Sequence, residues 1–331
     1  MSNTETAMST TRCILVTAVV FVVGGCNEAF EPKGEFQEEY VVFAILTSVR
    51  DTQFIRFYKT YDPPAFNPLE YSTENSVTGA AIQISNGSTV YAFRETTLVR
   101  ADRSRYQNDI QAYVAHPFPV ERGETYTLSV QTGSGDDIEA ELTVPGEAAL
   151  TIGNIAAFRS PTAFRNGFIT LFSALSPATF GFQVRAFLEY DLRENGVFVR
   201  KREELPTAVR DRLNCQEFRP LFHTLQRRRQ LQPDLTTFDV LAYTTMLAKV
   251  WNTYSPFDVR MRQVVFELTE FDPALYAYLN TVNGFRDEFS IRTDEPDFSN
   301  IPGGRGIFGA MTKQSIAVSL PDTVGVTFLC N

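Results

Sequence analysis

Apolar and polar residues alternate strictly over several stretches of this chain. Tyr126, Leu128 and Val130 interleave with Thr125, Thr127 and Ser129, and Ile138, Ala140, Leu142 and Val144 with Glu139, Glu141 and Thr143. A period of two with one wet face predicts antiparallel strands, joined here by the turn Gly133-Ser134-Gly135-Asp136. Ala80, Ile82 and Ile84 alternate in the same way. Asn86-Gly87 follows, then Val90, Tyr91 and Phe93, which predicts a hairpin closed by a type I′ turn. Residues 40–49 are almost wholly apolar, as for a strand buried on both faces, and residues 52–61 have strand composition. Gly123-x-x-Tyr126-x-Leu128 has the pattern of a tyrosine corner, in which a phenol bonds back to the backbone at an arch between sheets. Together these strands predict an immunoglobulin-like β-sandwich over residues 39–146.

The second half repeats the theme with different lengths. Residues 150–158 and 167–175 read as strands. Residues 180–192 form the longest alternation, with Phe180, Phe182, Val184, Ala186, Leu188, Tyr190 and Leu192 on one face. Residues 237–250 and 259–271 have strand composition, with a turn over 251–257 between them, and 314–320 and 323–329 are expected to be the last strands. Residues 200–233 are charged and read as partly helical. At Asp272-Pro273 the period changes: an N-cap aspartate and a proline suited to the first helical position precede Leu275, Tyr278, Leu279 and Val282, and Gly284 stands at the C-cap. The expected class is mainly β, the sandwich being followed by a second antiparallel β domain over 147–331 with one or two short helices.

The N-terminus has another pattern. Arg12 precedes an apolar run ending Val22-Val23-Gly24-Gly25-Cys26. At ~1.5 Å per residue this run spans roughly 20 Å, too short for the ~30 Å hydrocarbon core, so residues 1–25 read as a signal peptide. Small residues ahead of the cysteine resemble the lipobox of bacterial lipoproteins, which implies lipidation at Cys26. Residues 26–38 then form an acidic tether. The acidic stretch resembles surface-export signals, which favours the outer face over the periplasm.

Charge and residue counts narrow the chemistry. A net charge of −9 over 331 residues opposes nucleic acid as a partner, because phosphate binding needs a basic face. Only His116 and His223 are present, which leaves no His-rich metal site, and no cofactor or metal is expected. His116 precedes a proline in an apolar loop and reads as structural. Asp136-Asp137 reads as a solvated hairpin tip, and Asp294, Glu295 and Asp297 are the nearest approach to an acidic cluster. Gly304-Arg305-Gly306-Ile307-Phe308-Gly309 fits the dinucleotide spacing G-x-G-x-x-G, but no βαβ unit surrounds it. Nucleotide binding is therefore not expected. The glycines are expected to make a tight turn that packs Ile307 and Phe308 into the core. Cys215 and Cys330 remain after lipidation, either as a disulfide or as two separate thiols. Arg227, Arg228 and Arg229 make a basic cluster in an acidic chain, either a partner contact or a solvated insertion.

The residues 275–281 (LYAYLNT), a proline, Ser299-Asn300-Ile301, a glycine pair and Gly306-Ile307-Phe308-Gly309 resemble the closing part of the family called domain of unknown function 4249. The resemblance implies an outer-membrane, lipid-anchored protein of the bacterial envelope and a TonB-dependent transporter as partner. It carries no catalytic residues. The expected function is a non-catalytic accessory or substrate-capture partner of such a transporter; the alternative is a stand-alone surface module that binds glycans or peptides.

Overall fold

Alternation turns into strands almost wherever it was read. The computed structural model describes residues 35–62, 72–104, 106–164, 167–210, 219–255, 257–284 and 298–321. The first seven strands are β1 (Tyr40–Thr47), β2 (Gln53–Lys59), β3 (Ala81–Ser85), β4 (Val90–Leu98), β5 (Ile110–Ala115), β6 (Thr125–Gln131) and β7 (Asp137–Thr143). Next come β8 (Ala149–Gly153), the one-turn helix α1 (Ala156–Arg159), β9 (Phe168–Ala174), β10 (Gly181–Glu194) and β11 (Val197–Leu205). The short strands β12 (Ala208–Arg210), β13 (Arg219–Leu221) and β14 (Gln226–Arg227) lead to β15 (Asp234–Asp239). The chain closes with α2 (Val240–Thr253), β16 (Val259–Phe271), α3 (Pro273–Gly284) and β17 (Arg305–Ser319). The protein is mainly β.

One long sheet runs β11-β10-β16-β17-β1-β2-β5-β4-β3-β6-β7. It folds over on itself at β4, where Val90–Phe93 pair with β3 and Arg94–Leu98 pair with β5. Between the two arms lies a sandwich core: Val42, Ala44, Leu46, Ile55 and Phe57 meet Ile82, Ile84, Leu128, Val130 and Leu142. The tyrosine corner is present, since the Tyr126 hydroxyl accepts from the Glu121 amide at 3.0 Å. At the other end, the face of β10 and β16 bearing Val184, Ala186, Leu188, Val264 and Phe266 is covered by α2 and by a small sheet ordered β15-β9-β8. From Glu39 onward the chain forms one compact unit.

β17 belongs to both cores. Phe308 and Ala310 lie in the first, and Val318 in the second. It pairs antiparallel with β16 and parallel with β1, Val42 standing opposite Gly306. β1 is covered on both sides as expected, because Phe43, Ile45 and Ile307 on the reverse face pack against Leu275, Tyr278 and Leu279 of α3. The false dinucleotide motif is thus the start of a parallel strand. Gly306 has φ +103°, and a methyl group there would sit 2.0 Å from the Val42 carbonyl oxygen. Gly309 lets α3 lie close, its nearest neighbour being the Leu275 Cβ.

Four sequence expectations change. Residues 240–250 are helix, not strand. Asp239 caps α2 by accepting from the Leu241 amide at 3.1 Å, and Val240, Tyr243, Leu247 and Val250 are buried at helical spacing. The threonines that suggested a strand bond their hydroxyls back to the Leu241 carbonyl. The stretch 150–158 breaks at Gly153 and turns into α1 after Asn154, which has positive φ. The described part of 200–233 holds short strands joined by loops rather than helix, because its backbone pairs with neighbouring strands. Finally, Asn86-Gly87 lies in a four-residue loop where only Gly87 has positive φ, while the Asn86 carboxamide accepts from the Thr89 amide. Positive φ at two successive residues occurs instead at Asn195-Gly196, the two-residue turn from β10 to β11. The strand expected over 323–329 lies outside the described residues.

Gly306→Ala should therefore lower stability by about 3 kcal/mol in chemical denaturation, through both strain and collision. Gly303→Ala has positive φ but open space around it and should lose only about 1 kcal/mol.

Candidate functional site

The base of α3 gathers several buried polar groups, two of them carboxyls. Asp272 is 2% exposed. Its Oδ1 accepts from the Leu275 amide at 2.9 Å, capping α3, and from the Ala310 amide at 3.1 Å, which lies in β17. Burial pushes its carboxyl up to about 6, against the backbone amides of Ala310, Leu275 and Ala274, which favour the charged form. Two residues back, Glu270 is fully buried. Thr179 donates to its Oε1 at 2.7 Å and Thr312 to its Oε2 at 3.5 Å. Burial raises the Glu270 carboxyl as well. Ser176 extends the chain of hydroxyls, lying 3.2 Å from Thr179 and accepting from the Gly146 amide at 2.8 Å. A cleft of about 440 Å³ opens beside these groups, lined by Glu141, Thr143, Thr179, Phe180, Asp272 and Pro273 among others. The acids face hydroxyls and amides, so they join the 176–180 loop, β16, α3 and β17 into one corner.

Arg227, Arg228 and Arg229 sit against the start of β10. β14 pairs Arg227 with Gly181, the Arg227 guanidinium lies 4.7 Å from the Phe180 ring, and the Arg228 amide donates to the Phe180 carbonyl at 2.9 Å. Arg228 is half-buried, while Arg229 is exposed and reaches the buried Asp234 at 4.0 Å. His223 lies nearby, edge-on to Phe238, with Nε2 3.2 Å from the Thr237 carbonyl oxygen; burial lowers its pKa. His116 is instead half-exposed, 3.0 Å from the Thr52 hydroxyl. Among the described residues, no three His, Cys, Asp or Glu side chains come together as a metal site. Cys26, Cys215, Cys330, Asp294, Glu295 and Asp297 lie outside the described residues.

Two sheet faces differ sharply in chemistry. The outward face of β10, β11 and β16 is a ladder of ion pairs. Arg185 meets Glu204, Arg202 meets Glu267 at 2.5 Å, and Lys313 of β17 meets Glu267 at 2.5 Å. Asp191 receives both Arg200 and Arg262; a bulge in the β10–β16 register at Glu189/Tyr190 adjoins Arg262. Burial pushes the Asp191 carboxyl up, and the two guanidiniums outweigh it and hold it below its ordinary value. The exposed positions on the outward face of β8, β9 and β15 are uncharged: Ala149, Thr151; Phe168, Phe172, Ala174; Leu235, Thr237, with Thr170 and Gly153 half-buried among them, while Asp239, opposite Phe168 in register, is buried as the cap of α2. Phe168 is 50% exposed, Leu235 44% and Phe172 38%. Phe172 stands between Leu235 and Thr151 in register, with its ring close over Gly153. β9 is evident from its sequence, whereas the chemistry of its outward positions stands out only once its register with β8 and β15 is known. Phe168 and Phe172, four apart on an alternating strand with no charge between them, were the available signal.

The family model described as domain of unknown function (DUF4249) matches residues 28–317. The chain belongs to the DUF4249 family. No curated protein matches it. The match takes in both cores of this DUF4249 chain, the Asp272 corner and the uncharged sheet face. Among the described residues no helix is long and apolar enough to cross a membrane.

The Asp272 corner makes stability depend on pH in a definite direction. A carboxyl with a higher pKa folded than unfolded binds its proton more tightly when folded. Stability from Asp272 therefore rises as pH falls from about 6 toward about 4, by up to about 3 kcal/mol, and Glu270 acts in the same direction. Asp272→Asn should lose this gain. The melting midpoint of the parent minus that of Asp272→Asn is expected to be several degrees larger at pH 5 than at pH 7.5.

Proposed function

We propose that this DUF4249 chain is an outer-membrane lipoprotein, anchored by acyl chains on Cys26, that acts as a non-catalytic accessory of a TonB-dependent transporter. What supports a partner is the outward face of β8, β9 and β15. A water-facing antiparallel sheet ordinarily places charged or strongly polar side chains at alternate positions, as β10 and β11 do here. Phe168, Phe172 and Leu235 occupy those positions with threonine and alanine as their exposed neighbours, the one carboxylate in register, Asp239, being buried. An apolar patch of this kind suits docking against another protein. What supports the place is sequence: Arg12, the short apolar run and Val22-Val23-Gly24-Gly25-Cys26. Each buried methylene of an acyl chain adds ~0.8 kcal/mol to anchoring, and multiple chains hold firmly. The envelope-facing side is taken as the cell surface, on the acidic tether that follows Cys26.

The second reading is a stand-alone surface module for glycans. The same two phenylalanines, flanked by Thr151, Thr170 and Thr237, offer rings for stacking a neutral sugar and hydroxyls beside them. The two readings part on one experiment. The full chain, expressed in a host with its own envelope, is solubilised in detergent and captured by an affinity tag. The accessory reading expects a β-barrel transporter to co-purify in near-stoichiometric amount and to be lost with Phe172→Glu, while the melting midpoint stays within about 3 °C, as befits a half-exposed position. Recovery of the chain alone, with retention on immobilised neutral polysaccharide, supports the glycan module and overturns the accessory. Labelled palmitate should enter the parent protein and not Cys26→Ser; equal labelling of both overturns the anchor. Replacing Arg227, Arg228 and Arg229 by serine tests the basic cluster in the same capture, and unchanged recovery of the transporter removes it from the interface.

A further inference from the structure

We propose that the free edge of β7 is a strand-addition site for an extended polypeptide carrying basic residues on one face and apolar residues on the other. The inference stands independently of the envelope partner proposed above. β7 ends the long sheet, and among the described residues it pairs only with β6. Its register and flanking bonds show which groups face outward. The Thr132 amide donates to the Asp136 carbonyl, and the Val144 amide to the Glu124 carbonyl. In an antiparallel pair, mutually bonded residues alternate with unbonded ones. Ile138, Ala140 and Leu142 are therefore bonded to β6, and Asp137, Glu139, Glu141 and Thr143 direct their N–H and C=O groups away from it.

Three further observations define the occupant. First, the edge is roomy where it matters: the 440 Å³ cleft runs beside Glu141, Leu142 and Thr143, with Pro177–Phe180 and Asp272–Ala274 across from them. Second, the side chains of Asp137, Glu139 and Glu141 project from one face, all exposed, and none has an ion-pair partner among the described residues. Like charges two residues apart on one strand face repel, and a cation on an adjacent strand relieves that repulsion. Third, the opposite face of β7 is Ile138, Ala140 and Leu142, buried in the sandwich core. An added strand would extend that core with its own alternate residues. Main-chain bonds then give affinity, and the alternating lysine-and-valine type of side-chain pattern gives specificity. A second copy of this chain is a poor occupant, because a β7–β7 pairing would set these acids against one another in a molecule already at −9. Acidic edge positions also keep such copies apart.

The test is a fluorescence-anisotropy titration of the full chain in detergent with a capped nine-residue peptide alternating Lys and Val. Two comparison peptides are used: one of the same charge in which a central valine is proline and a neighbouring lysine carries a backbone N-methyl group, so that a bonding N–H is lost in either strand direction, and one with Glu for Lys. The Lys/Val peptide is expected to bind saturably, and the proline and Glu peptides about tenfold or more weaker. Glu141→Pro deletes an outward N–H without touching the bonds to β6, and should weaken the Lys/Val peptide about tenfold while the melting midpoint holds. Should Glu141→Pro lower that midpoint, Glu139→Lys with Glu141→Lys leaves the backbone intact and is expected to transfer preference to the Glu peptide. Equal binding of the Lys/Val and proline peptides would mean attraction of charge alone and would overturn the site. So would the absence of Lys/Val binding at millimolar peptide, or indifference to both sets of substitutions.

Discussion

The parallel pairing of β17 with β1 is the constraint on which the remaining architecture rests. Strand ladders are usually closed between neighbours in sequence, yet here Val42 meets Gly306 across nearly the whole chain. The pairing is possible only because Gly306 adopts a φ closed to other residues and has no side chain to strike the Val42 carbonyl. Once β17 is in place, one sheet runs from β11 to β7 and two cores form on it. The first is closed by the fold at β4, the second by α2 and the three-stranded sheet.

Buried carboxylates reinforce that join. Asp272 caps α3 and holds Ala310 of β17 with the same oxygen, so helix position and strand position are set together. Glu270 does likewise for the 176–180 loop through Thr179. Buried acids of this kind destabilise when charged, and they also remove alternatives, because a shifted register would strand them without donors. The charged ladder on β10, β11 and β16 serves the exposed side differently. There Asp191 and Glu267 each take two cations of their own on a surface that water still reaches.

Much of this was legible in the sequence, for local reasons. Alternation located β3, β6, β7 and β10, the Asp272-Pro273 signal located α3, and the glycine-tyrosine spacing located the corner at Tyr126. Each depends on residues near one another in the chain. What escaped reading depends on distant partners. Residues 240–250 mix threonine, tyrosine and valine, types common in strands, and only the Asp239 cap and the packing against Phe158 and Phe266 decide for helix. The parallel union of β1 with β17 leaves no local mark beyond a glycine that also fits a nucleotide motif. The Asp272 corner was half visible: its cap was evident, its bond to Ala310 was not. The uncharged face of β8, β9 and β15 could be seen only after register showed that Phe172, Leu235 and Thr151 stand side by side.

β17 crosses both cores as a single fifteen-residue strand, bonded to β16 along one flank and to β1 along the other. Proteins that trap ligands by domain closure bend at a few connecting residues. Here the connection is itself the middle of a sheet, and bending it would break several rows of backbone bonds together. Recognition by this molecule must accordingly use surfaces already shaped before the ligand arrives, with any clamping motion left to whatever it docks against.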